Sequence, residues 1–305
     1  HVHWTAPIAQ AAHSHRAAAR RVRAVETALE DARRRGVRIV WTVHNRLPHE
    51  LVHPAAERDL YGVLAGAADL IHVMAPSTAE LVADVVALPP EKVVQIPHPS
   101  YLGVYDSDVS REEARQSFDL SPDDRAVLFL GQIRPYKGID LLLEAAASAR
   151  DSDGRRPVLL LAGSASPESI AQFDDLKPAG LRIVTSFESV PDADVARWYR
   201  AADIAVFPYR AILNSGSLHL AATMEVPAVL PGLPHLREQF GDQPWVSFFD
   251  VADPVRSLAE LLSDGALTQG VEASDFERFN EGISPWTVSL AYRDALRELS
   301  TTTTD

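Results

Sequence analysis

Short apolar, β-branched runs punctuate the chain: VRIVWTV (37–43), DLIHVM (69–74), KVVQIP (92–97), AVLFL (126–130), VLLLAG (158–163), LRIVTSF (181–187), DIAVFPY (203–209), PAVLP (227–231) and WVSFF (245–249). They are apolar almost throughout rather than alternating, the pattern of strands buried on both faces. Between most of them apolar residues recur at three- and four-residue spacing, which predicts helices over 14–35, 55–66, 77–87, 138–149, 192–201 and 254–263. Strands alternating with helices in this way predict an α/β protein with parallel sheets covered by helices on both faces.

The stretch PHPSYLGVYDSDVS (97–110), rich in proline and turn residues, separates two such halves. The pattern predicts a short N-terminal α/β domain over 1–100 and a complete C-terminal one over 101–283, with about six strands. HVHW (1–4) reads as the end of a strand whose earlier partners are absent, so the first domain is expected to be truncated. SPWTVSLAYRDALREL (284–299) reads as one amphipathic helix, with Ser284 as cap and Pro285 in its first turn, and the tail STTTTD as disordered. Ligands of open α/β sheets bind beyond the carboxyl ends of the strands, and between two such domains a cleft is expected.

Composition narrows the field. With 305 residues and an apolar fraction of 46%, each half can bury a core of its own. Zero cysteines exclude disulfides, thiolate metal sites and cysteine nucleophiles, and fit a cytoplasmic protein. No apolar run approaches the roughly 18 residues of a membrane span. The net charge of −13 argues against a nucleic-acid binder. That charge is uneven: residues 1–46 carry 9 Lys and Arg against 3 Asp and Glu. Most of the excess lies on the helix predicted within 14–38. Two readings stand there: a solvated surface helix, or one leaning on anionic lipid headgroups. The Ala- and Arg-rich composition suggests a bacterial source.

Three segments directly after strands could carry chemistry. In GQIRPYKG (131–138), Gly131 and Gly138 permit close backbone approach, while Arg134 and Lys137 could grip a diphosphate; a surface turn with two solvated cations is the plain alternative. In PYRAILNSGSLHLAATM (208–224), Asn214, Ser215, Gly216 and Ser217 precede a helical stretch, where backbone N–H groups suit an anion; ordinary capping is the plain alternative. WTVHNRLPHEL (41–51) gathers His44, Asn45, His49 and Glu50. Two histidines five apart across Pro48 do not share a helix face, so no metal is expected, and a rim that bonds sugar or acceptor hydroxyls is the better reading.

In order along the chain, these segments resemble the GT-B glycosyltransferases, especially the bacterial family 4-like group (glycosyl transferases group 1). HVHW is similar to an early strand end of such enzymes, WTVHNRLPHE to their T-x-H-N-x-x-P-H-E loop, and EKVVQIPHPSY to the strand leading into the domain linker. FLGQIRPYKGIDLLLEA resembles the donor loop with its phosphate-binding Lys, FPYRAILNSGSLHLAATMEVPAVLP the donor helix of an L-N-S-G-S subgroup, and SPWTVSLAYRDAL the C-terminal helix that crosses back to the first domain. There are departures. The Glu-x7-Glu pair of many members falls on Ile212 and Leu220, and the Arg that often follows the first Gly is Gln132.

The resemblance implies two Rossmann-like domains facing a cleft and a hexosyltransferase-type enzyme of polysaccharide or glycolipid biosynthesis. A nucleoside diphosphate sugar would be the donor substrate, with no cofactor and no metal, and a hydroxyl group of a saccharide, glycolipid or natural product, free or lipid-linked, the acceptor. Arg134, Lys137, Gly131 and Asn214–Ser217 would hold the phosphates, Phe187 and Val190 the base, and His44, His49 and Glu50 would face the reacting sugar. Retention of anomeric configuration is expected; an inverting enzyme would need Glu50 or His49 as base. An epimerase on the same fold, and a degenerate protein that binds nucleotide or a partner without catalysis, are the alternatives.

Overall fold

The structure is a computed structural model and describes residues 1–48, 50–105 and 108–301. The chain forms two compact units, one of residues 1–98, 212–214 and the segment from 286, the other of residues 99–211 and 215–285.

The first unit runs α1 (Ala6–Ala9), α2 (His15–Arg34), β1 (Val40–Thr42), α3 (Pro54–Ala67), β2 (Leu70–Val73), α4 (Thr78–Leu81) and β3 (Val93–Gln95). Its three strands are parallel, in the order β1-β2-β3, and Val2 adds one parallel bridge to Trp41. Trp41, Leu60, Leu64 and Ile71 fill its core, joined by Leu213. Helix α2 begins where Ser14 accepts a hydrogen bond from the Ala17 amide, and it buries Ala17, Ala18 and Val22. Its outer face leaves Arg16, Arg20, Arg21 and Arg23 exposed.

The second unit runs α5 (Arg111–Ser117), β4 (Ala126–Leu130), α6 (Ile139–Ser148), β5 (Val158–Ala162), α7 (Pro167–Leu176), β6 (Ile183–Ser186), α8 (Asp192–Ala201), β7 (Ile204–Val206), α9 (Gly216–Thr223), β8 (Ala228–Pro231), α10 (Pro234–Phe240), β9 (Val246–Phe249), α11 (Pro254–Ser263) and α12 (Ala273–Gly282). A last helix, α13 (Pro285–Thr301), is grouped with the first unit almost throughout, its Tyr292 ring set edge-on to His72. The six strands are all parallel in the order β6-β5-β4-β7-β8-β9. Counted from the unit's own first strand this is 3-2-1-4-5-6, the doubly wound order whose direction of winding reverses between β4 and β7. Ala126–Phe129 and Leu159–Ala162 are wholly buried, as uniformly apolar central strands require.

All nine strands lie on the runs predicted for them, and both sheets are parallel. The helix expected over 77–87 is a single turn, Thr78–Leu81, followed by turns through Val86. Val82, Val85 and Val86 are β-branched, Pro89 and Pro90 follow closely, and Val82 is sunk into the core, so tertiary packing overrides a weak local preference. Helices α5, α7, α10 and α12 go beyond the helical spacing read from the sequence. The C-terminal helix reaches Thr301, further into the expected disordered tail, while Thr302–Asp305 lie outside the described residues.

Candidate functional site

In the second unit the segments after β4 and β7 meet at the reversal of winding. Gly138 sits at φ +69° and is pressed against the Pro208 carbonyl, so close that a side chain there would overlap it. The Arg210 amide donates to the Tyr136 carbonyl at 2.9 Å, and its guanidinium to the Pro135 carbonyl at 3.1 Å and to both oxygens of Asp140 at 2.8 and 2.6 Å. Those bonds hold the Asp140 carboxyl below the usual carboxylate range. The Gly163 backbone likewise crowds the Gly131 carbonyl, drawing in the loop after β5.

Three elements converge in this junction. A Cβ added to Gly131 would stand 3.7 Å from Ser217 Oγ and 4.0 Å from Lys137 Nζ. Lys137 closes the short 3-10 turn Pro135–Lys137, and its ammonium lies 3.9 Å from the centre of the Tyr209 ring. No described carboxylate pairs with it, and burial lowers its pKa from 10.5 to about 8. Helix α9 starts beside it. Ser215 is the N-cap, its hydroxyl accepting from the Leu218 amide at 3.3 Å. The amides of Gly216 and Ser217 are first-turn donors with no intrahelical acceptor. An ammonium with no counter-ion among the described residues, two helix-end N–H groups and the Ser217 hydroxyl gather around a glycine, an arrangement whose chemistry suits an anion.

The remaining second-unit candidates lie differently. Arg134 lines a separate groove of about 110 Å³ with Asp140, Ser169, Gln172, Phe173 and Arg210. Asn214 belongs to the first unit instead, where it donates to the His44 carbonyl at 3.2 Å. Phe187 sits edge-on to Phe173, its carbonyl accepting from the Ala165 amide at 3.1 Å, and Val190 is half-buried ahead of α8. Glu225 stands past the end of α9 in the left-handed region, 3.9 Å from Arg200.

In the first unit, His44 stacks on Trp4 with ring centroids 4.0 Å apart and shares a hydrogen bond of 3.1 Å with His3. Burial first, then the neighbouring imidazoles of His3, His72 and His98, lower its pKa from 6.5 to about 4. It is therefore neutral at pH 7 and a poor store for a proton. Glu50 is exposed; His49 lies outside the described residues.

Sequence reasoning missed a directed chain here. The Ile96 carbonyl can only accept, so His72 Nε2, 2.8 Å away, carries the proton. His72 Nδ1 then accepts from Thr42 Oγ1 at 3.1 Å, and Thr42 accepts from His1 Nε2 at 2.8 Å. The signal was a histidine inside the apolar run DLIHVM. Gln10, equally unannounced, accepts from the Val52 and His53 amides, each at 2.8 Å, and so anchors the loop that carries His44 and Glu50. Among the described residues, no group of three or more His, Asp or Glu is arranged to hold a metal, and no helix is long and apolar enough to cross a membrane.

The profile of the family described as "Glycosyl transferases group 1" matches residues 124–264. D-inositol 3-phosphate glycosyltransferase of Segniliparus rotundus is 31% identical over 257 residues, 73% of this chain and 55% of the relative. D-inositol 3-phosphate glycosyltransferase 2 of Catenulispora acidiphila is 38% identical over 106 residues, 32% of this chain and 25% of the relative. The chain thus spans about half the length, or less, of such relatives. Among solved structures, Anabaena HepE in complex with UDP superposes with a TM-score of 0.73 at 16% identity, over 92% of this chain and 77% of that one. WaaG, a glycosyltransferase involved in lipopolysaccharide biosynthesis, superposes with a TM-score of 0.66 at 17% identity, over 96% and 85%.

Proposed function

The chain belongs to the group 1 glycosyltransferases and has the GT-B fold, and from that premise we propose that it transfers a sugar from a nucleoside diphosphate sugar to an acceptor hydroxyl. One observation carries the reading: Gly131, Lys137 and Ser217 converge at the reversal of winding in the 3-2-1-4-5-6 sheet. Ligands of this fold bind there. The cradle suits a diphosphate because no described carboxylate neutralises its ammonium and its first-turn amides have no intrahelical acceptor.

In the reaction, the bond between the anomeric carbon and the β-phosphate oxygen breaks, and its electron pair goes to the phosphate. The acceptor oxygen forms the new bond to the same carbon. Negative charge grows on the leaving diphosphate, and Lys137, with the Gly216 and Ser217 amides, stabilises it. The Ser215 cap fixes the start of α9, and Asn214 precedes it in the chain. Arg134 acts as a longer-range positive charge on the same loop. Phe187 and Val190, beyond β6, border the base. We infer a retaining reaction, in which the leaving phosphate takes the acceptor proton and no side-chain base is needed. The low basicity of His44 is consistent with that, since it then bonds a sugar hydroxyl rather than removing a proton; Glu50 extends the acceptor rim.

UDP is the first donor nucleotide to test, because HepE is solved with UDP. A relative from Xanthomonas campestris, 30% identical over 105 residues, is named a GDP-mannose:glycolipid 4-beta-D-mannosyltransferase. A lipid-linked acceptor, with the protein at the cytoplasmic face of the membrane and residues 14–38 against it, fits that name and the exposed arginines of α2. The deciding experiment is Lys137→Ala. Turnover of the nucleotide sugar should fall at least about a hundredfold, the worth of a charge contact made in the transition state. Unchanged turnover would rule out the assigned role.

A further inference from the structure

A buried ammonium needs something to replace its water. In most proteins that is a carboxylate, which would here cancel the attraction for an anionic ligand. Lys137 has a ring instead: its Nζ lies 3.9 Å from the centre of Tyr209 and 5.5 Å from that of Tyr136. Tyr209 is only 4% exposed, and Phe207 and Phe129 pack edge-on against it, fixing which face it offers. The carboxylate three residues further on, Asp140 in the first turn of α6, is taken by both arms of Arg210. The Tyr209 hydroxyl is buried and faces the Ser217 and Ser215 side chains.

We propose that Tyr209 is a positioning residue for the transfer reaction, whose ring face serves Lys137 in place of a counter-ion while Arg210 holds Asp140 away. The quadrupole of the ring stabilises the ammonium but carries no net charge. The full positive charge of Lys137 therefore remains available to a diphosphate. The inference rests on the reading that a diphosphate binds at Lys137. It makes the identity of residue 209 as consequential as that of the lysine.

The test measures dissociation constants of UDP, GDP and inorganic pyrophosphate by calorimetry, for the full chain and for Tyr209→Phe, Tyr209→Leu, Lys137→Met and Tyr209→Leu/Lys137→Met. Tyr209→Phe keeps the ring and should stay within about threefold of the parent; Tyr209→Leu should weaken binding about thirtyfold, the worth of a desolvated ammonium–ring contact. On the Lys137→Met background the same change should add less than about twofold, because the partner is already gone. Losses that add in the double variant, or a Tyr209→Leu variant that binds like the parent, overturn the proposal. If the leucine variant does not fold, phenylalanines of increasing ring fluorination at 209 keep the shape and weaken only the quadrupole. Stepwise loss supports the proposal, and a flat series overturns it. Should Lys137→Met itself bind all three probes normally, or the parent bind none, the diphosphate reading fails, a result distinct from failure of Tyr209 alone.

Discussion

Replacing Gly138 with alanine should separate the two loops that build the proposed anion cradle. The residue sits at φ +69°, where an alanine costs about 1 kcal/mol of backbone strain. Its new Cβ would overlap the Pro208 carbonyl oxygen and lie 3.0 Å from the carbonyl carbon, backbone that cannot swing aside. Overpacking of this kind costs about 1–3 kcal/mol. The sum corresponds to a fall in Tm on the order of 5–15 °C for a domain of this size. Relief requires the loops after β4 and β7 to part by about 1 Å, and a misplacement of that size costs on the order of a hundredfold in rate. The assay pairs a thermal melt with UDP affinity and release of nucleoside diphosphate from the donor. Gly154→Ala is the control: it shares the positive φ, +78°, but its Cβ would meet nothing within 4 Å. The control should lose about 1 kcal/mol of stability and keep its affinity. If Gly138→Ala binds and turns over like the control, the two loops are not coupled as described.

Three further outcomes follow from the same geometry. Because burial brings the Lys137 pKa down to about 8, its cation is lost as pH rises through that value, so UDP affinity measured between pH 7 and 9 should fall with rising pH; Lys137→Arg, charged throughout, should flatten the profile, and an unflattened profile would assign the titration elsewhere. His44 has its pKa lowered from 6.5 to about 4, so between those values the unfolded chain binds a proton that the folded chain does not; stability should be full above about 6.5 and decline with acid toward pH 4, and His44→Asn should reduce that slope in denaturant melts, an equal slope in both proteins refuting it. Liposome co-sedimentation should show binding to anionic but not to neutral vesicles, lost on replacing the exposed Arg16, Arg20 and Arg23 by Gln; indifference to lipid charge would leave α2 an ordinary solvated helix.

Sequence pattern was sufficient wherever local chemistry and long-range burial agree. Uniformly apolar runs such as AVLFL and VLLLAG can satisfy burial on both faces only as interior strands, so the α/β class and all nine strands were legible. Proline and glycine marked the turn that carries Lys137, and its position directly after a strand pointed to the ligand-binding end of a sheet. Helix α5 could also have been read: Ser110 and Glu113 form a capping box, which stands as S-x-x-E in the sequence. The single turn at Thr78–Leu81 could not, because its length depended on where the core took up Val82.

What the sequence by itself determined, then, was the alternation of elements and the kinds of residue placed at strand ends, since both follow from interactions between near neighbours along the chain. Which side chains meet was decided by the tertiary structure alone. Tyr209 beneath Lys137, Arg210 on Asp140, and His72 bonded to Thr42 join residues about 30 to 70 positions apart. Their approach is set by strand order and by glycines that let one backbone touch another, and no periodicity along the chain encodes either.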